Sequence, residues 1–192
     1  NANVTATLAR GYVKISDYLE KFPGEVALCG SGPSLKDHYR ELKGDVFAIN
    51  NAHVFLLKHG IVPKFSMFWD AAEVVEQFAV PHPDVTYFVG ARCHPKVFER
   101  LKGCKVIVWH AGGDHNIMEL LQACGVDEIL INGGSAGVTR GLYMVVALGK
   151  RIINVYGADS SFDTESRYCY GDGKYHWDSK APVNWVKTED GK

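Results

Sequence analysis

Val26-Ala-Leu-Cys-Gly30-Ser31-Gly32-Pro33-Ser34-Leu35 is the stretch whose reading decides the fold. An apolar run breaks into two glycines around a serine, and a proline follows. The run has the pattern of a strand buried on both faces, as in a parallel sheet. Gly30 and Gly32 let the backbone turn sharply and come close to a neighbour or ligand, and Pro33 sits where a first helical residue tolerates the loss of its N–H. The whole reads as strand, tight turn, helix. The same grammar repeats outward along the chain. Strands are expected at residues 25–29, 45–49, 64–69, 85–89, 105–109 and 151–156. Helical spacing lies between them at 34–42, 52–59, 71–78, 95–101, 115–123 and 136–148. Leu8, Tyr12, Ile15 and Leu19 recur at helical spacing within 4–21, interrupted by Gly11.

Strand and helix alternating in this way predict an α/β fold: a single Rossmann-like, doubly wound, mainly parallel sheet with helices on both faces. The expected organisation is an N-terminal helix packed on the domain within 1–24, a nucleotide-binding core over 25–157 and a loop-rich active-site segment of the same domain over 158–192. Composition sets further bounds. The chain has 192 residues, 21 Lys and Arg against 22 Asp and Glu, and a hydrophobic share of 46%. That balance argues against a nucleic-acid partner or a polybasic membrane surface. No apolar run approaches the roughly 20 residues that span a bilayer, and Asn1-Ala2-Asn3-Val4 lacks the grammar of a signal peptide, so a soluble, cytoplasmic protein is expected. Five cysteines without a Cys-x-x-Cys pair fit a reducing compartment. Cys93, His94, Cys104 and His110 lack the tight spacing of a structural zinc site and read as buried thiols and surface imidazoles.

Five segments carry chemistry. In the first, the loop of Gly30, Ser31, Gly32, Pro33 and Ser34, with its free backbone amides and two serine hydroxyls, suits a phosphate at a helix start. The missing Gly-Lys-Ser/Thr ending argues against a Walker-type nucleotide triphosphatase. The missing third glycine, with no acid after the second strand, argues against a dinucleotide fold. In the second, Asn50 and Asn51 end a buried strand, where carboxamides can donate and accept toward a base edge or sugar hydroxyl. Asn51 is assigned to the ligand, and Asn50 suits a helix cap equally well. In the third, Asp70 ends the next strand, either as a cap or as a ligand to the nucleotide. In the fourth, Gly134, Ser135, Ala136 and Gly137 form a second glycine-rich turn opening a long helix. In the fifth, Asp159 follows Tyr156-Gly157-Ala158, and Tyr168, Tyr170, Tyr175 and His176 come after it. An imidazole among phenols and acids fits a general acid or base.

Taken in order, Gly-Ser-Gly-Pro-Ser-Leu, Ile-Asn-Asn, Gly-Gly-Ser-Ala-Gly-Val and Ile-Asn-Val-Tyr-Gly-Ala-Asp resemble the 6-hydroxymethylpterin diphosphokinase MptE-like family. That family is related in pattern to motility-accessory-factor flagellin glycosyltransferases and to small bacterial CMP-sugar sialyltransferases. The resemblance implies that Gly30–Ser34 and Asn51 hold nucleotide phosphate and sugar, that Gly134–Gly137 approaches the nucleotide, and that Asp159 sits beside the reacting centre. It also implies a catalytic His176 with phosphate-binding tyrosines among Tyr168, Tyr170 and Tyr175. The leading expectation is a transferase, most concretely a glycosyltransferase using a CMP-type nucleotide sugar as its small-molecule donor, with no bound metal. The alternatives are a Mg²⁺-dependent diphosphokinase acting from ATP on a pterin-like alcohol, with Asp70 and Asp159 as metal ligands, and a nucleotide-binding or assembly protein without turnover. The acceptor and any homo-oligomer stay open.

Overall fold

A computed structural model describes residues 2–113 and 115–159. Along the chain the elements are α1 (Ala2–Leu8), β1 (Val13–Lys14), β2 (Gly24–Cys29), α2 (Leu35–His38), β3 (Asp45–Ile49), α3 (Ala52–Lys58) and β4 (Phe65–Phe68). Then come β5 (Thr86–Gly90), α4 (Pro95–Arg100), β6 (Lys105–Ala111), α5 (His115–Ala123), β7 (Leu130–Ile131), α6 (Gly137–Ala147) and β8 (Lys150–Tyr156). Every strand pairing is parallel, and the sheet order is β1-β6-β5-β4-β3-β2-β8, with β7 also paired to β6. The expected α/β architecture is therefore present.

The order explains which face each helix covers. From β2 to β6 the chain steps steadily in one direction, and crossovers of one hand leave the intervening helices on one face. Residues pointing to that face, such as Ala27, Ala48, Tyr87 and Val89, pack with α2 and α3 at one end and with Val97, Phe98, Ile117 and Leu121 of α4 and α5 at the other. The chain then reverses to β8 beside β2, which carries α6 to the opposite face. There Met144, Val145 and Leu148 cover Val26, Leu28, Phe47, Ile49 and Met67. Three rings, Phe47, Phe65 and Phe88, meet on this face at centroid distances of 5.8–5.9 Å. Truncating one to Ala would cost about 3–5 kcal/mol in lost burial and residual cavity. Gly137 and Gly141 let α6 lie this close: a Cβ on Gly141 would stand 2.6 Å from Ile49 Cδ1 and 3.1 Å from Leu28 Cδ1.

The structure corrects several expected elements. The 4–21 stretch is not one helix. α1 ends before Gly11, whose φ of +66° reverses the chain, and β1 then joins the sheet as an edge strand, followed by a 3-10 turn at Ile15–Tyr18. Residues 34–42 hold only one α-helical turn, and 71–78 hold a 3-10 turn at Glu73–Phe78. Among the described residues no helix is long and apolar enough to cross a membrane.

Candidate functional site

In an open parallel sheet, ligands bind beyond the carboxyl ends of the strands, where the order reverses. Here the reversal lies between β2 and β8. The loops at that edge are Gly30–Ser34 after β2, Asn50-Asn51 after β3, Trp69-Asp70 after β4 and Gly157–Asp159 after β8. The turn before α6 approaches the same edge, because a Cβ on Gly137 would stand 3.0 Å from Ile49 Cγ2 and 3.9 Å from Asn50 Nδ2.

The loop after β2 is held by the loop after β8. Gly30 and Gly32 donate their amides to Tyr156 O and Gly157 O at 2.8 and 2.9 Å. The Ser34 amide donates to Asp159 Oδ2 at 2.9 Å, and the Ser34 hydroxyl bonds Asp159 Oδ1. Glycine is required here by crowding: a Cβ on Gly32 would stand 2.3 Å from Asp159 Oδ2, and one on Gly30 would meet Gly157 O and Val138 Cγ2. The Leu35 amide bonds Gly32 O, and Pro33 has no N–H, so within Gly30–Leu35 the Ser31 amide is the donor without a partner among the described residues. Apart from that of Ser31, the amides expected to cradle phosphate thus already hold protein oxygens, and Asp159 fills the anion position at the start of α2. With a single turn, α2 also has little dipole to offer.

Ser31 has a different task. Its hydroxyl accepts from the Ala52 amide at 3.0 Å and donates to Ile49 O at 3.3 Å, so it caps α3 from the neighbouring loop. Asn51 stands at the N-cap position of α3 and makes no side-chain cap bond. Asn51 is 2% exposed, and among the described residues neither its Oδ1 nor its Nδ2 has a hydrogen-bond partner. Asn50 adopts a φ of +48°, a left-handed conformation asparagine tolerates, and among the described residues its buried Oδ1 is also unpartnered. Capping accounts for neither amide.

The turn before α6 is the second anion-ready feature. Gly134, Ser135 and Ala136 are exposed, and the N-cap residue Ala136 has no side-chain acceptor for the first-turn amides of this 11-residue helix. Thr139 Oγ1 donates to Ala136 O at 2.8 Å. The turn is braced from inside by Arg140, 6% exposed, which donates to Ile131 O, Gly133 O and Gly134 O at 2.8, 3.1 and 3.1 Å. Sequence reasoning missed this brace. A lone arginine beside Gly141 in an otherwise apolar helix was the available signal.

Asp70 Oδ1 accepts from the Ala72 amide at 3.0 Å, so the carboxylate closes its own turn. Asp70 and Asp159 therefore both hold backbone amides, a use that fixes loops and presents fewer oxygens to a cation. Among the described residues no group of three or more His, Cys, Asp or Glu could hold a metal ion. His176, Tyr168, Tyr170 and Tyr175 lie outside the described residues. On the far edge of the sheet, burial holds His110 down to about 4, and its Nε2 lies 3.7 Å from Glu128 Oε2.

With this geometry in view, comparison with known proteins adds three findings. A family model described as 6-hydroxymethylpterin diphosphokinase MptE-like matches residues 2–165. Among curated proteins none matches significantly. Among solved structures, the MAf glycosyltransferase from Magnetospirillum magneticum AMB-1 is similar, with 19% identity and a TM-score of 0.53 over 79% of this chain. The likeness extends to 24% of that protein's chain, so it speaks to a shared fold over about a quarter of its length.

Proposed function

The chain belongs to the 6-hydroxymethylpterin diphosphokinase MptE-like family, and on that footing we propose that it is a nucleotide-dependent transferase, most concretely a glycosyltransferase using a CMP-type sugar. The observation that carries the proposal is the Asn51 carboxamide, buried and, among the described residues, unpartnered at a strand end beside the reversal of the sheet. A buried polar group left unpaired costs about 1–3 kcal/mol, a cost that a ligand in the crevice would remove. Asn51, with Asn50, offers donors and acceptors to a ribose or base. The turn that opens α6, Ser135 to Gly137, with no side-chain cap, offers amides to the phosphate. The fold likeness to a glycosyltransferase agrees with the glycosyl reading.

In this scheme the residues divide the work. Asn50 and Asn51 bind and orient the nucleoside. The α6 amides stabilise negative charge as the phosphate departs, the step where a fixed field of donors helps most. Asp159 is a positioning residue that holds Ser34 and with it the loop after β2. His176 is kept as the general acid or base.

The family's name supports a second reading, a diphosphokinase in which Asp70 and Asp159 hold Mg²⁺. The bonds those carboxylates make to Ala72 and Ser34 weigh against it. A thermal-shift panel of CMP, CDP, UDP, GDP and ATP, each with EDTA or Mg²⁺, separates the two. Stabilisation by a cytidine nucleotide in EDTA supports the glycosyl reading. Stabilisation by ATP only with Mg²⁺ overturns it in favour of the kinase, and no shift from any nucleotide overturns both.

A further inference from the structure

Trp69, just past the carboxyl end of β4, has two guanidinium groups against its ring. Arg140 Cζ lies 4.6 Å from the ring centroid and Arg92 Cζ 5.6 Å. Neither arginine forms an ion pair among the described residues. Among the described residues the oxygens that Arg140 binds are all neutral carbonyls, and its buried Nε has no partner. Arg92, exposed on the loop after β5, is close enough that its charge adds to burial in lowering the Arg140 pKa. The neighbouring acid is Asp70, which with Arg92 acts on the buried Cys93 thiol. Among the described residues this one carboxylate, with an oxygen already on the Ala72 amide, leaves the two guanidinium groups in excess. A buried cation without a counterion is costly, and such a cost is often retained where a ligand brings the missing charge.

The cluster borders the proposed nucleotide crevice. A Cβ on Gly137 would stand 3.7 Å from Trp69 Nε1, so the indole edge meets the start of α6 beside Asn50. We infer that Trp69, Arg92 and Arg140 form a second anion subsite, taking a carboxylate or phosphate of the co-substrate in addition to the phosphate of the nucleotide. Arg92 is the exposed arm that contacts the anion. Trp69 is the flat wall beside it, and Arg140 fixes that wall to the turn before α6 and adds its field. Assigning the anion to a co-substrate rests on the transferase reading, whereas the subsite itself stands on the arginine geometry.

The test uses the whole chain and the indole N–H signal of Trp69, identified among the four tryptophans by its loss in Trp69→Phe. Glucuronate supplies a carboxylate, glycerol 3-phosphate a phosphate, and the methyl ester of glucuronate a neutral control. A charged probe should move the signal saturably and the ester should not. The arm that responds names the anion, carboxylate or phosphate. Arg92→Gln should weaken that titration about tenfold or more at unchanged melting temperature, with Arg92→Lys restoring part of it. If neither charged probe moves the signal, if the ester moves it equally, or if Arg92→Gln titrates like the parent, the subsite is refuted. A parallel CMP titration keeps the two claims apart. CMP failing to bind while a charged probe binds sinks the transferase reading and leaves the subsite standing, and the reverse pattern does the opposite.

Discussion

Replacing Asn51 with alanine should separate binding from folding, because the structure removes the usual reason for an asparagine at a helix start. An ordinary asparagine N-cap loses about 1 kcal/mol on truncation, worth roughly 2–4 °C in melting temperature for a chain of this size. Asn51 makes no cap bond, and Ser31 supplies that bond to the Ala52 amide instead. Truncation removes a buried carboxamide whose two polar atoms are unsatisfied among the described residues, relieving about 1–3 kcal/mol of desolvation. The small cavity left behind offsets part of that gain. The melting temperature of the free protein should therefore hold or rise slightly. Nucleotide affinity, measured by calorimetry, should fall by roughly ten- to a hundredfold through loss of the hydrogen bonds the amide makes to the ligand. A fall of several degrees with unchanged affinity would refute the reasoning and return Asn51 to an ordinary cap.

The remaining expectations follow from individual contacts. Ser31→Ala removes the cap of α3 and its bond to Ile49 O, so urea unfolding should show a loss of about 1 kcal/mol; no loss would mean the cap is made elsewhere. Gly32→Val should displace Asp159, and the chemical shifts of Ser34 and Gly157 should report it, since a side chain there overlaps Oδ2 and Gly157 O; unmoved signals would contradict the clamp. Gly141→Val should lift α6 from β2 and β3 at a cost of about 1–3 kcal/mol in urea unfolding, and an unchanged midpoint would contradict the close approach. Stability should fall with pH between about 6.5 and 4. Burial depresses His53 to about 4, so the unfolded chain takes up the extra proton in that window, by up to about 3 kcal/mol. Its ring nitrogens already bond Val80 O and Ser66 Oγ in the neutral form, and because His110 is likewise held at about 4, His53→Gln should lessen the slope of the urea midpoint against pH across the same range without abolishing it.

The strands were legible because each is a short apolar run rich in β-branched and aromatic residues, and the structure keeps every expected one. The two-residue strands β1 and β7 are too short to leave a pattern, since only pairing with β6 makes them strands. Gly11 carried the break in the N-terminal stretch, and helical spacing on both sides concealed it. At the site, the glycine turns and Asn50-Asn51 could be read because strand ends and turn residues announce themselves locally. Their partners could not. Ser31 caps a helix that starts 21 positions away, and Asp159 reaches Ser34 across 125 positions, so only the sheet order brings them together. Arg140 was hidden for a different reason: its work is to bond carbonyls of the preceding turn, and no motif marks a carbonyl.

The central claim, a nucleotide crevice between the end of β3 and the start of α6, is tested most directly by titrating CMP in EDTA into the ¹⁵N-labelled chain. The account predicts saturable shifts at the backbone amides of Ser135, Ala136 and Gly137 and at the Asn51 side-chain amide, with Ser34 and its bond to Asp159 unmoved. Shifts centred on Ser31 to Ser34, with the Asp159 contact broken, or no shifts at any of these positions, would contradict it.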